Sequence, residues 1–226
     1  MPTTTPMATS LAEENYLKII YRLCEGTKED ISTNSIAELT NNKAASVTDM
    51  LQKLAEKGWV TYQKYQGVRL TKVGESIALS IIRKHRLWEV FLVEKLGYNW
   101  DEVHEIAEQL EHIESETLIN KLDSFLDFPK IDPHGDPIPS QEGEIPELGY
   151  LHLSEVKLNE TCTLMGVAKD SAVFLQLLTK LNLSLGAKLE VLEINTFDRS
   201  VSLKIIAEEK PIFISHEVAK NILVKV

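Results

Sequence analysis

Residues 44–70 read AASVTDMLQKLAEKGWVTYQKYQGVRL, and the hydrophobic period changes once within them. Val47, Met50, Leu51 and Leu54 recur at three- and four-residue intervals, the stripe of an amphipathic helix over 44–57. Gly58 follows as its C-terminal stop, because glycine enters the left-handed conformation that ends a helix without a steric penalty. Beyond it, Trp59-Val60-Thr61-Tyr62 and Val68-Arg69-Leu70-Thr71 are short β-rich runs on either side of Tyr65-Gln66-Gly67, the pattern of a hairpin.

Toward the N-terminus, Leu17, Ile20, Tyr21 and Cys24 place a helical stripe on residues 11–24. Ser32-Thr33-Asn34-Ser35 supplies N-cap candidates for a short helix through Leu39, with Ser35 and Glu38 at capping-box spacing. Thr40-Asn41-Asn42-Lys43 then turns the chain into the helix over 44–57. Helix, helix, turn, helix, hairpin is the order of a winged helix-turn-helix, whose second motif helix enters the major groove of double-stranded DNA. Lys43, Ser46, Thr48 and Asp49, early on that helix, are therefore expected to face base edges, with Lys64 and Arg69 near the wing and the phosphates.

Toward the C-terminus the pattern from Lys72 to about Phe125 is helical, broken at Gly97-Tyr98-Asn99. Ile77, Ile81 and Ile82 lead into Trp88, Phe91 and Leu92, and Val103, Ile106, Ala107, Leu110 and Ile113 form a second stripe. This is more apolar surface than one winged helix covers, so a homodimer interface is expected, and with it a palindromic operator. The stretch 128–149 holds five of the eight prolines and reads as a linker. After it come strand patterns around Leu153, Thr163, 189–194 and 201–207 and a helix near 171–181, which predicts a small β-barrel with a helical insertion.

With 226 residues, 43% hydrophobic and 26% charged, the chain has the composition of a folded globular protein and enough length for two or three small domains. No apolar run approaches the roughly 18 residues of a membrane span, and Met1 to Ser10 lacks the basic-then-apolar order of a signal peptide, so a cytoplasmic protein with no membrane partner is expected. Cys24 and Cys162, 138 positions apart, read as buried reduced thiols. The net charge of −10 is uneven: residues 1–72 carry nine Lys/Arg and eight Asp/Glu, residues 73–146 six and sixteen, residues 147–226 nine and ten. A near-neutral first segment is compatible with a DNA-facing surface, whereas the acidic middle segment needs cations to offset its self-repulsion.

In that middle segment His85 and Glu89 lie four apart, and His104, Glu108, Glu111 and His112 fall at offsets 0, 4, 7 and 8. On helices such spacings gather imidazoles and carboxylates into patches, the mixed N/O donor set that Mn²⁺, Fe²⁺ or Zn²⁺ accepts. The bland alternative is the solvated acidic flank of an amphipathic helix. The segment from His104 to Glu108 is one residue from the zinc-protease pattern, but its last position is Glu where the second imidazole belongs, so no enzyme is expected. A metal-dependent hydrolase using Glu105 as base is the rival reading from another class.

The chain resembles the diphtheria-toxin-repressor and manganese-transport-regulator family of metal-dependent bacterial transcription regulators. The resemblance spans nearly its whole length and rests on 14–21 (ENYLKIIY), 45–50 (ASVTDM), 85–92 (HRLWEVFL), 100–105 (WDEVHE) continuing to Glu111-His112, and 132–139 (DPHGDPIP). It implies a mainly α protein with a small β domain: a winged helix-turn-helix over 1–72, a helical metal-binding and dimerisation domain over 73–140, a linker over 141–150 and an SH3-like (FeoA-type) β-barrel over 151–226. It also implies a metal-dependent repressor of metal-uptake genes. One metal site is implied at Glu108, Glu111 and His112 with Asn15, and a second at His85, Glu89 and His104 with Asp170 from the barrel. Glu108 stands where iron-responsive members carry Cys and manganese-responsive members Glu, which favours Mn²⁺, with Fe²⁺ as the alternative effector and Zn²⁺ or Co²⁺ as substitutes. Three positions depart from the family pattern: Asn15 replaces Asp or Met, Lys18 replaces a bridging Glu, and Val173 replaces a barrel donor. His134 reads as a capping or hydrogen-bonding residue of the Pro-rich loop.

Overall fold

The computed structural model describes residues 9–25, 27, 29–208 and 210–226; most of the N-terminal stretch read for a signal lies outside them. The chain divides into two compact units, the first made of residues up to 84 with 111–114 and 139–144, the second of 85–110, 115–138 and 145–226.

The first unit opens with α1 (Leu11–Cys24), whose N-cap Ser10 and N3 residue Glu13 form a reciprocal capping box. In α2 (Thr33–Thr40) the cap is Ser32, which accepts from Ser35 N–H, so the Ser35–Glu38 box suggested by spacing is not the one used. Asn41 takes the left-handed conformation at φ 50° and turns the chain toward α3 (Ala44–Glu56). Gly58 ends that helix region at φ +72°, as its position predicts. Strands β1 (Val60–Gln63) and β2 (Gly67–Leu70) pair antiparallel from Val60↔Leu70 to Gln63↔Gly67, and Ile31 adds a bridge to Val68. Leu17, Ile20, Ile36, Val47, Leu51 and Leu54 are fully buried between these elements, which is why the helical stripes and the hairpin pack as one body.

A polar tie fastens α1 to α3. Glu13 is 1% exposed, and its Oε1 lies 2.7 Å from Lys57 Nζ and 3.0 Å from Lys53 Nζ. Burial works against its charge, but Lys57, the Ser10 N–H and Lys53 outweigh it and hold the carboxyl down at about 2.

The long helix α4 (Lys72–Leu96) runs through both units. In the second unit it is followed by α5 (His104–Leu110) and α6 (Glu116–Phe125). Leu87, Val90, Ile119, Leu122, Leu126 and Ile138 form one apolar cluster, and Leu92, Val103 and Ala107 a smaller one between α4 and α5. The last strands are β3 (Leu151–His152), β4 (Thr161–Val167), β5 (Lys188–Ile194), β6 (Val201–Ile205), β7 (Ile212–Ile214) and β8 (Ile222–Lys225), with α7 (Ala172–Lys180) and α8 (His216–Lys220) between them. They make one antiparallel sheet in the order β3-β8-β4-β5-β6-β7 over a core of Leu164, Leu175, Leu178, Leu189, Leu203 and Ile222. This is the expected SH3-like domain, but among the described residues the sheet is open rather than a closed barrel. Its edge strands β3 and β7 are two and three residues long and pair only with β8 and β6.

Two further differences from the sequence reading matter for the site. First, α5 stops at Leu110, so the offsets 0, 4, 7 and 8 do not share one helix: Glu111 and His112 lie in the turn beyond it. Continuing the helix would align Glu105, Glu108 and Glu111 at three-residue steps, which like-charge repulsion disfavours. Second, part of the Pro-rich stretch is an ordered loop closed by the Ile131↔Pro137 bridge. Asp132 Oδ1 accepts from the N–H groups of His134 (2.8 Å) and Asp136 (3.0 Å), and Val167 N–H donates to His134 O (2.9 Å), docking the loop on β4. Gly135 sits at φ +90° where a Cβ would come within 2.2 Å of Met165 O, so the loop requires glycine there.

The Glu13 tie predicts an acid-sensitive link. A carboxyl depressed in the folded state contributes stability that is complete above its unfolded value near 4.3 and is lost as pH falls toward about 2. Glu13→Gln is expected to cost about 1.5–3 kcal/mol at pH 7, and the gap from wild type should narrow between pH 4.5 and 2 in urea melts; a constant gap across that range would refute the link.

Candidate metal centre

In the second unit the sequence-predicted donors converge on one buried carboxylate. His85 and Glu89, one turn apart on α4, are 4% and 1% exposed, and His85 Nε2 lies 3.0 Å from Glu89 Oε1. His104, the first residue of α5, brings Nδ1 to 3.5 Å from the same oxygen, and its ring meets that of His85 edge-on at 4.9 Å. Asp170, just before α7, places Oδ2 3.9 Å from His104 Nδ1, and Glu108 places Oε1 3.6 Å from His104 Nε2.

The Pro-rich loop adds a donor that spacing alone did not assign. His134, 2% exposed, brings Nδ1 to 3.5 Å from Glu89 Oε2, while its Nε2 donates to the Trp100 carbonyl at 2.7 Å. Asp132 is also buried, 3.5 Å from Arg86 Nε. Two groups of ligand atoms therefore share Glu89: His85, Glu89 and His104, and Glu89, Asp132 and His134, the atoms of each within 4.8 Å of one another. His134 is 45 residues from Glu89 and reads in the sequence as a capping or hydrogen-bonding residue; the signal available for it is a histidine inside a Pro- and Gly-rich loop.

The electrostatics suit a cation. Burial alone would neutralise Glu89, but His104, His134 and His85 outweigh it and hold the carboxyl well below its ordinary range. His134 loses stability as a cation by burial, yet Glu89 and Asp132 push it up to about 9. Asp132 is pushed up to about 7 by burial and by the neighbouring Glu89 and Asp136 carboxylates, with Arg86 and His134 opposing. His104 Nδ1 is a buried atom that makes no hydrogen bond, with carboxylate oxygens of Glu89 and Asp170 at 3.5 and 3.9 Å, so it is open to a metal between them. Imidazole and carboxylate donors on four segments, with one unsatisfied inward nitrogen, fit a divalent ion of the Mn²⁺, Fe²⁺ or Zn²⁺ type.

The remaining predicted donors lie elsewhere. In the first unit Glu111 is fully buried with Oε1 2.6 Å from Lys18 Nζ, and His112 Nδ1 lies 2.5 Å from Glu14 Oε2. His112 Nε2 is 3.8 Å from Glu111 Oε1, and the Thr9 hydroxyl donates to Glu14 Oε1. Asn15 is exposed; its neighbour Glu14 is the α1 residue that reaches His112.

On the DNA-reading side Lys43, the N-cap of α3, and Ser46 and Asp49 are exposed, while the Thr48 hydroxyl donates to Ala44 O at 2.9 Å. Lys64 is exposed on the wing with its ammonium 5.3 Å from the Tyr65 ring centre. Arg69 turns to Asp30, 2.9 Å away. A groove of about 410 Å³ runs between the wing and the starts of α2 and α3, lined by Ser32, Thr33, Thr48, Lys64 and Tyr65 among others. The sequence offers Ser32 and Thr33 as N-cap candidates and Tyr65 as a hairpin-turn residue, and does not assign them to this groove.

A winged helix-turn-helix joined to convergent His/Glu donors defines a metal-dependent DNA-binding regulator. Family models agree along the chain: the N-terminal DNA-binding domain of iron-dependent repressors matches residues 8–68, their metal-binding and dimerisation domain residues 71–140, and the FeoA domain residues 151–226. The iron-dependent repressor IdeR of Mycobacterium tuberculosis is 33% identical over 149 residues, 65% of this chain and 64% of that protein. The HTH-type transcriptional regulator MntR of Oceanobacillus iheyensis is 34% identical over 119 residues, 53% of this chain and 80% of that one. A solved structure of a manganese-dependent transcriptional repressor in complex with manganese superposes with a TM-score of 0.84 at 35% identity, covering 94% of this chain and 98% of that chain. The chain belongs to the iron-dependent repressor family, of which MntR and the diphtheria toxin repressor are relatives, and is a metal-dependent transcriptional repressor.

Because Glu89 belongs to both donor groups, Glu89→Gln is expected to weaken divalent-metal binding at this centre at least about tenfold. Mn²⁺ titration followed by electron paramagnetic resonance checks it; an isotherm identical to wild type would place the ion elsewhere.

Proposed function

We propose that this repressor responds to Mn²⁺, acts as a homodimer on a palindromic operator in the cytoplasm, and controls metal-uptake genes. The observation that carries this reading is the convergence of His85, His104 and His134 on the buried Glu89 carboxylate in a chain with a winged helix-turn-helix. All its donors are nitrogen or carboxylate oxygen, with no thiolate among them, which is the hard set that Mn²⁺ accepts. The similarity to a manganese-dependent repressor over nearly the whole chain supports the same metal. Among the described residues no helix is long and apolar enough to cross a membrane.

Two sites with different tasks are proposed. His85, Glu89 and His104, supplemented by Asp170 and by His134, form one centre. Glu108, Glu111 and His112 are the proposed ligands of the switching ion, with Asn15 or its neighbour Glu14 contributing from α1. A bound divalent cation would add positive charge at these clustered carboxylates. The chain's own residues convert this into DNA affinity: Glu14 and Lys18 are on the first helix of the DNA-binding unit, so whatever holds residues 111 and 112 also holds α1. α1 packs on the core that carries α3, and a shift in the population of its held position alters how Lys43, Ser46, Thr48 and Asp49 meet the groove. Two protomers would present two such helices about one turn of DNA apart. Lys64 and the hydroxyls of Ser32 and Thr33 would fix the backbone register.

Fe²⁺ is the second reading, favoured by the similarity to an iron-dependent repressor. A hydrolase is disfavoured because the segment from His104 to Glu108 lacks the second histidine of a zinc-protease helix.

Operator affinity measured anaerobically with and without Mn²⁺ or Fe²⁺ tests this reading. Mn²⁺ is expected to tighten binding at least about tenfold, a coupling of about 1.4 kcal/mol, and His112→Ala to abolish the response. Ser46→Ala should weaken operator binding and leave metal affinity unchanged. Operator binding indifferent to EDTA and to both metals would sink the proposal.

A further inference from the structure

On α1, Glu14 and Lys18 stand one turn apart with opposite charges, and within the same compact unit they face His112 and Glu111. The Lys18 ammonium donates to Glu111 Oε1 at 2.6 Å, with the two side chains 7% and 0% exposed. Glu14 Oε2 lies 2.5 Å from His112 Nδ1. Both residues of the turn after α5 that are assigned as metal donors thus already engage α1, and the group on the carboxylate is itself a cation.

An ammonium at contact distance and a divalent ion cannot share one buried carboxylate oxygen, because their mutual repulsion is poorly screened away from water. Being tethered, the ammonium also competes at an effective concentration of order millimolar, far above that of a scarce metal ion. Its four-carbon stem lets it swing away when displaced, which a guanidinium fork held at several points does less readily.

The geometry points to Lys18 as a built-in counter-cation of Glu111 that a divalent metal has to displace, so that this ammonium sets the metal concentration at which the chain responds. It also gives the metal-free protein its own tie between α1 and residue 111. The inference rests on the assignment of Glu111 and His112 as metal donors.

Calorimetric titration of the full chain with Mn²⁺ separates the two. The binding event that disappears in His112→Ala identifies the site. In Lys18→Met that event should tighten at least about tenfold, while Lys18→Arg, which keeps a cation that is displaced less readily, should bind no more tightly than wild type. As a second readout, amide exchange of residues 11–24 in the metal-free protein should be several-fold faster in Lys18→Met than in wild type. Lys18→Gln is read in the same way should the Met variant not fold. An event of unchanged or weaker affinity in Lys18→Met overturns the counter-cation role and leaves the donor assignment standing. No event lost in His112→Ala overturns the donor assignment, and this inference with it.

Discussion

Glu89 is an ionised carboxylate with almost no access to water, and the second compact unit is organised around keeping it charged. An isolated carboxylate moved into such surroundings would take up a proton instead. Imidazoles arriving from α4, from the start of α5 and from the Pro-rich loop prevent that, each delivered by a different local device. His85 comes by helical spacing, His104 by the packing of Val103 and Ala107 on Leu92, and His134 by the Asp132 turn and the clearance at Gly135. Trp100 joins these devices: its carbonyl accepts from His134, its ring stacks on that imidazole, and its indole N–H donates to Thr179 on α7. The SH3-like domain is tied to the Glu89 cluster through those bonds as well as through Asp170.

The same physics operates differently in the first unit. There two buried carboxylates are matched by ammonium groups, Glu13 by Lys53 and Lys57 and Glu111 by Lys18, and a third, Glu14, faces the His112 imidazole. A buried ion pair is weak evidence for stability, since desolvation opposes the attraction, but it fixes which surfaces meet and in what register. Glu13 ties α1 to α3 and its C-terminal end, and Lys18 and Glu14 attach α1 to the turn after α5.

Much of this was legible in the chain. Helices α1 and α3, the stop at Gly58 and the hairpin follow from apolar period and turn chemistry, both local properties. The pairing of His85 with Glu89 was legible too, because four residues on an uninterrupted helix is a distance. The offsets from His104 to His112 misled at their far end. Spacing becomes geometry only while the helix continues, and the end of α5 at Leu110 sends Glu111 and His112 to partners on α1. Asn15 was expected to reach this place, yet the side chain of Glu14 does so, since one residue of slip on a helix turns a group by about 100°.

What the sequence by itself determined is therefore the order of elements, the His/Glu chemistry of the candidate site and the family. Each is carried by residue identity and by separations of a few positions. The tertiary structure decided which donors meet: His134 and Asp132 joining Glu89 across more than forty residues, Lys18 on Glu111 across ninety-three, and an open sheet instead of a barrel. Those contacts depend on where helices end and on how loops dock, which are set by packing against distant segments and leave no periodic trace in the chain.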